Sequence, residues 1–328
     1  MHTPPSEQGR AVRLLAAGGT IAMSGEHAVP SLDAAALVRE LPELGELEAE
    51  TVLELPGPQI SLPEALSLAR RARDAARSGE GVVITTGTDT MEELAVLCAL
   101  LHDGDAPIVL TGANRPAGNP GADGPANLLD AVTLARAPVA AGIGVVVAFG
   151  GEFHAATSVR KIDSTGPAAF GSPGAGPLGR IVDGRVWLHS RPIRPASIDP
   201  ARLEHRVEIV TAALGDDGSL LRHAAAEGDG VVVVAFGAGH LTPGMLHELR
   251  AATRRVPVLV TCRPDRSSML FTTYGFEGAE RDVRGSGAVC VPFLSAVAAR
   301  ISLLAGLGAG LDAVALAELL APWDATAG

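Results

Sequence analysis

Three short polar segments hold the residue types from which a nucleophilic site can be assembled: Gly18-Gly19-Thr20-Ile21-Ala22, Thr85-Thr86-Gly87-Thr88-Asp89-Thr90 and Gly112-Ala113-Asn114-Arg115. A threonine hydroxyl attacks a carbonyl carbon once a neighbour takes its proton. Glycines let the backbone turn sharply and present its amides, and a following helix N-terminus favours developing negative charge. Each segment alone is also ordinary turn chemistry; recurrence after successive apolar runs is what marks a candidate site. Lys161 adds a possible base, because it is the only lysine in a chain with 26 Lys and Arg residues. An amine can be desolvated into a base at accessible pH, whereas a guanidinium cannot. Either Lys161 is a chance surface cation, or it folds back to Thr88 and Asp89 and completes a nucleophile, a base and an orienting carboxylate.

Short β-rich runs alternate with helix-like stretches from Val12 to Leu188, the pattern of βα units on a mostly parallel sheet. Strands are expected over Val12 to Ala17, Gly81 to Thr85, Pro107 to Thr111 and Gly142 to Phe149, with helices over Ser61 to Gly79, Thr90 to Leu101 and Gly124 to Ala137. Val82-Val83-Ile84 and Val145-Val146-Val147 have the continuous apolar character of parallel strands covered on both faces. All three polar segments then fall just beyond strand ends, where open α/β sheets bind ligands. Asp183-Gly184 predicts a hairpin turn. Residues 1–190 thus read as a larger N-terminal catalytic α/β domain, 191–205 as a proline-containing linker and 206–328 as a smaller C-terminal α/β domain with a parallel sheet. Thr242-Pro243 starts a helix in that second unit, since a threonine cap and a first-turn proline both suit orphan amides.

Composition narrows the function classes. With 328 residues and 47% hydrophobic content, folding buries roughly three quarters of the unfolded surface. Aromatics at 3% and a net charge of −11 argue against a nucleic-acid partner, which needs stacking platforms and cations. Cys98, Cys262 and Cys290 are odd in number and far apart, so neither a disulfide framework nor a cysteine zinc site is expected. The histidines at 154, 189, 205, 223, 240 and 247 show no ligand spacing, so no metal and no cofactor is expected. Met1 to Arg10 lacks a basic segment leading into an apolar core, and no run reaches a membrane span; a cytoplasmic protein without a membrane partner is expected. Gly18-Gly19-Thr20 lacks the lysine of a phosphate loop, and no complete GxGxxG follows the first strand.

The chain resembles the bacterial-type L-asparaginase (asparaginase/glutaminase) family. Gly18-Gly19-Thr20-Ile21-Ala22 is similar to its first signature and Thr86-Gly87-Thr88-Asp89-Thr90-Met91-Glu92-Glu93 to its second. The likeness continues in order through Thr111-Gly112-Ala113-Asn114-Arg115-Pro116, Ala122-Asp123-Gly124-Pro125 with Asn127-Leu128, Ser158-Val159-Arg160-Lys161 and Gly176-Pro177-Leu178-Gly179. The second half is similar more loosely, at Gly237-Ala238-Gly239-His240 and Tyr274-Gly275-Phe276. The resemblance implies hydrolysis of L-asparagine to L-aspartate and ammonia, with Thr20 as nucleophile and an acyl-enzyme ester. Thr88, Asp89 and Lys161 look like the family's second polar triad, with Asp89 also meeting the substrate's α-ammonium group. Gly19, Gln59, Gly87, Ala113 and Asn114 fall in segments similar to those that line the substrate pocket. A homodimer or homotetramer is implied, with His240 and Glu277 as the second-domain candidates to reach a neighbouring pocket.

Two departures bear on the substrate. The family carries a tyrosine in the loop after the first threonine, but Tyr274 is the only tyrosine here, and His27 is the titratable residue that loop offers. Pro58 stands where relatives have a carboxylate-binding serine; Ser61 either compensates or caps the following helix. These departures leave two alternatives open: an amidohydrolase for glutamine, D-asparagine or another small amide, and an amino-acid-binding protein without turnover.

Overall fold

The apolar runs of the first half become adjacent strands. A computed structural model describes residues 9–24 and 29–323. In it Val82, Val83 and Ile84 have no solvent exposure, and Val146 and Val147 have none either. Alternate side chains enter opposite cores. Val82 and Ile84 pack with Leu66, Leu68 and Leu97, while Val83 packs with Leu128 and Ala131. The helices Leu62–Arg77 and Met91–Leu101 therefore cover one face, and Gly124–Arg136 covers the other.

The first-domain sheet has eight strands in the order Arg185–Leu188, Gly179–Val182, Glu152–Ala155, Val145–Phe149, Ile108–Thr111, Gly81–Thr85, Val12–Gly18, Glu48–Leu55. The last five named after Glu152–Ala155 run parallel, and the others join antiparallel. From Val12–Gly18 the chain goes outward to Glu48–Leu55 and then crosses back to Gly81–Thr85 on the other side. The strand order reverses between Gly18 and Thr85, so the crevice of this sheet opens beyond those two residues. The hairpin turns at Asp183 and Gly184, whose φ values are 50° and 67°, the doubly positive geometry that matches strand twist.

Glu48–Leu55 is the element that periodicity does not announce. Its sequence, Glu-Ala-Glu-Thr-Val-Leu-Glu-Leu, carries three glutamates in eight residues and is only partly buried, because it is a sheet edge and charges there block pairing with other chains.

The second domain is a four-stranded parallel sheet in the order Val207–Thr211, Gly230–Ala235, Val258–Cys262, Val289–Cys290. Residues 191–205 contain no helix or strand. They are tied down by Ile198 donating to the Leu100 carbonyl at 2.7 Å and by Asp199 paired with Arg70 and Arg73. The helix Ala296–Gly308 buries its apolar surface inside the chain: Ile301, Leu303 and Leu304 share one core with Leu97 and Leu101. That joins the two domains through the helix that follows Asp89. Among the described residues no helix is long and apolar enough to cross a membrane.

Candidate active site

Glycine contacts bring the strand-end loops together. Gly19 has φ 79°, a backbone state that side chains rarely adopt, and a Cβ there would collide with the Gly87 nitrogen. A Cβ on Gly87 would sit 2.7 Å from the Gly57 nitrogen. The amide of Gly19 donates to the Leu55 carbonyl at 3.0 Å, and Thr90 Oγ1 to the Gly57 carbonyl at 3.3 Å. Three loops are thus in backbone contact, which brings together the short segments that carry Thr20, Gln59 and Thr88. The Thr86 amide donates to the Thr111 carbonyl at 3.0 Å, which joins the next strand end to the same group of loops, and Ala113 two residues on is fully buried.

Lys161 arrives from far along the chain on the two-residue strand Arg160–Lys161, paired antiparallel with Phe170–Gly171. Its Nζ donates to Thr88 Oγ1 at 2.8 Å and to Asp89 Oδ1 at 2.6 Å. Thr88 is 6% exposed, the Lys161 side chain 18% and the Asp89 side chain 61%. A half-open ion pair of this kind contributes little to stability. Its geometry is that of a hydroxyl oriented by an amine beside a carboxylate that still faces solvent, which suits proton transfer and recognition of a cationic group.

The third loop is built from Asp123 and Asn127. Asp123 stands at the start of the helix Gly124–Arg136, but its carboxylate accepts from the amides of Asn114, at 3.1 Å to each oxygen, and Arg115, at 2.9 Å. Asn127, nearly fully buried, donates to the Gly112 carbonyl at 3.0 Å and to Asp123 at 3.2 Å, and accepts from the Gly150 amide at 3.0 Å. The Asn114 side-chain amide donates to the Gly166 carbonyl at 2.7 Å. Asp123 and Asn127 belong to a family-similar segment of the sequence that assigns them no role by itself. Their one local signal is an acid ahead of Gly124-Pro125, which reads as a helix cap.

Glu92 lies in the second signature, and nothing local in the sequence gives it a role either. Burial pushes its carboxyl up to about 7, opposed by Arg160 and helped by Glu93, and the Lys161 backbone amide donates to it. Cys98 and Cys262 are spectators: burial pushes Cys98 up to about 12 and Cys262 up to about 11. Thiols so protonated are poor nucleophiles.

Residues 11–194 match the family model "Asparaginase, N-terminal", and residues 206–320 match "Glutaminase/Asparaginase C-terminal domain". The chain belongs to the asparaginase/glutaminase family. It is 37% identical over 307 residues to the probable L-asparaginase of Deinococcus radiodurans, covering 90% of this chain and 92% of the relative. A glutaminase-asparaginase of Pseudomonas fluorescens is 36% identical over 200 residues, 57% of this chain and 55% of that one. The crystal structure of a probable cytoplasmic L-asparaginase from Campylobacter jejuni superposes with a TM-score of 0.84 at 29% identity, covering 95% of this chain and 99% of that one. The two-domain α/β architecture is that of the family, and the chain is an amidohydrolase of the asparaginase/glutaminase type.

Within this asparaginase-family enzyme the remaining candidates divide. Gln59 is exposed at the end of the turn Gly57–Gln59. Ser61 goes to the helix: it accepts from the Glu64 amide at 3.4 Å while Glu64 accepts from the Ser61 amide and hydroxyl at 2.8 and 2.6 Å. This capping box uses the hydroxyl that was a possible substitute for the serine missing at Pro58. His240 is engaged inside its own domain, with Nε2 3.2 Å from Glu280 and its ring edge-on to Tyr274 and Phe276. It does not cap the helix Pro243–Ala252; Thr242 does, accepting from the Met245 amide at 3.1 Å. Glu277 is exposed, and the acid that engages His240 is Glu280 instead. His27 lies outside the described residues. Among the described residues no cluster of three or more His, Cys, Asp or Glu is arranged to hold a metal ion.

Proposed function

We propose that this enzyme hydrolyses L-asparagine to L-aspartate and ammonia through an ester on Thr20. Thr20 Oγ1 attacks the side-chain amide carbon, and backbone amides around Thr88 receive the developing oxyanion. The Thr20 hydroxyl proton ends on the amide nitrogen, which leaves as ammonia as its bond to carbon breaks; water then attacks the Thr20 ester, releasing aspartate and returning a proton to the threonine oxygen. Thr88, held by Lys161, stands over the reacting carbonyl and passes the proton between Lys161 and the substrate. Asp89 takes the α-ammonium group, and Gln59 takes the α-carboxylate side.

The observation that carries this reading is the double donation of Lys161 Nζ to Thr88 and Asp89, on a loop whose Gly87 lies against Gly19, the residue before Thr20. Glutamine hydrolysis is the second reading, favoured by the glutaminase-asparaginase among the relatives. One methylene changes pocket affinity by only about 1–3 kcal/mol, so the two substrates are separated by degree. The reading includes a homodimer or homotetramer in the cytoplasm. The partly exposed Phe271, Tyr274 and Phe276 of the second domain support assembly, and the cytoplasmic designation of the Campylobacter jejuni relative supports the location.

Ammonia release is measured with L-asparagine, L-glutamine and D-asparagine for the parent enzyme, Thr20→Ala and Thr88→Ala. Release from L-asparagine that both substitutions abolish is the expected result. Release from L-asparagine that survives Thr20→Ala removes Thr20 as nucleophile, and binding without release from any of the three amides overturns turnover itself.

A further inference from the structure

Lysine is a poor choice for a fixed catalytic amine unless its surroundings hold it, because its four-carbon stem carries about 2 kcal/mol of rotamer entropy. A misplacement of about 1 Å can cost roughly 100-fold in rate. Lys161 nevertheless sits on a hairpin with only two paired residues on each strand, Arg160–Lys161 against Phe170–Gly171, and a two-stranded hairpin is marginal on its own in water. The hairpin therefore has to be held by something outside its own ladder.

At its tip, Asp163 Oδ1 accepts from the amides of Thr165 and Gly166, both at 2.8 Å, which shapes the turn. The Gly166 carbonyl then accepts from Asn114 Nδ2 at 2.7 Å. Asn114 is itself immobilised, because its amide is bound by Asp123, and Asp123 is bound by Asn127 of the helix Gly124–Arg136. At its base, Ser172 directly follows the ladder and Ser158 lies two residues ahead of it. Ser158 Oγ donates to Ser172 Oγ at 3.1 Å, and Ser172 Oγ lies 3.2 Å from Nδ1 of His154. His154 is almost fully buried in the sheet strand Glu152–Ala155. Ser158 Oγ also reaches the Ala155 carbonyl at 3.5 Å, so Ser158, Ser172 and His154 form one hydrogen-bonded chain whose proton order follows the His154 tautomer.

We propose that Asn114 and Ser172 are positioning residues for Lys161, fixing its hairpin at tip and base so that Nζ stays on Thr88 and Asp89. The proposal rests on Lys161 being part of the reaction machinery. It gives Asn114 a different duty from the substrate contact expected of it by resemblance: its amide acts on the Gly166 carbonyl, and through the hairpin on the ammonium group. Ser172 acts through His154, which ties the hairpin base to the central sheet.

The test uses the full chain with Asn114→Ala, Asn114→Asp and Ser172→Ala, each alone and combined with Lys161→Met. The readouts are kcat and KM for L-asparagine, L-aspartate affinity by calorimetry, and amide hydrogen exchange over residues 162–171. Expected are a fall in kcat of roughly 10- to 100-fold, a KM within about threefold of the parent, and faster exchange in the hairpin. Asn114→Asp should do more harm than Asn114→Ala, since it turns an acceptor toward the Gly166 carbonyl; if it fails to fold, Asn114→Ala carries the same test. In the Lys161→Met background no further fall in kcat is expected, because the residue acted upon is gone. Weakened aspartate binding with unchanged kcat, or a full additional loss on top of Lys161→Met, overturns the proposal, as does unchanged exchange. If the parent releases no ammonia from any amide, the functional reading fails by itself, and hydrogen exchange alone still decides whether these residues hold the hairpin.

Discussion

Both domains place polar side chains beyond the carboxyl ends of parallel strands, yet the two groups differ in how completely they satisfy themselves. In the second domain, Glu280 is fully buried, accepts from the Tyr274 amide at 2.9 Å and faces His240, which is packed between two aromatic rings. Burial works against the Glu280 charge, but the donated hydrogen bonds of Tyr274, Thr273 and His240 hold its carboxyl below the ordinary value. In the first domain, Lys161 is bound to Thr88 and Asp89, while most of the Asp89 side chain stays open to solvent and Thr20 is partly exposed. The contrast teaches that charged residues at strand ends are not enough to mark a reacting centre. A cluster that closes on itself stabilises a loop, whereas a reacting site keeps oriented groups whose hydrogen-bonding capacity is left for a ligand.

The largest effect that would sharpen the contrast is on rate. Lys161→Met and Thr88→Ala are each expected to lower kcat by about 10²- to 10⁴-fold, with little change in thermal unfolding, because a half-exposed ion pair adds only about 0–1 kcal/mol. A large drop in Tm with the rate preserved would mean that the first cluster is structural after all.

A pH effect in the first domain comes next. Burial lowers His102 to about 4, with Arg194 acting in the same direction and Asp103 opposing. Between that value and the ordinary 6.5, the unfolded chain binds a proton that the folded chain refuses, so stability is lost as pH falls through this window and levels off below about 4. The gap corresponds to about 3 kcal/mol at most. Urea unfolding at about pH 7 and about pH 4.5 should show this slope, and His102→Leu should remove it.

A smaller and purely structural effect is expected of Glu280→Gln, which weakens the hold on His240. Its Tm should fall while kcat of the purified enzyme is retained; a lost kcat with an unchanged Tm would put the second cluster into the reaction. Least of all, Ser61→Ala should cost about 1 kcal/mol of stability as a lost helix cap and leave KM unchanged, whereas Gln59→Ala should raise KM. A raised KM in Ser61→Ala would return Ser61 to substrate binding.

Legibility in the sequence follows the range of the interaction. Val82-Val83-Ile84 announces a strand covered on both sides, Asp183-Gly184 a tight hairpin, and Thr242-Pro243 a helix start, because each depends on neighbours a few residues away. Glu48–Leu55 was invisible for the opposite reason: an edge strand is defined by which strand it borders, and its own charges argue against it. Ser61 was ambiguous until Glu64 closed on it, since a hydroxyl before a helix serves a cap or a ligand equally well.

What the sequence determined by itself is therefore the α/β pattern, the glycine-bounded loops and the family signatures, all properties of local backbone conformation and apolar periodicity. Tertiary structure alone decided that Lys161 meets Thr88 across 73 residues, that Gly19 and Gly87 touch, and that Asn114 reaches Gly166. Those meetings are set by the order of strands in the sheet and by the closure of loops between them. That order is a choice among global packings, and each pays its entropy only when the whole sheet forms.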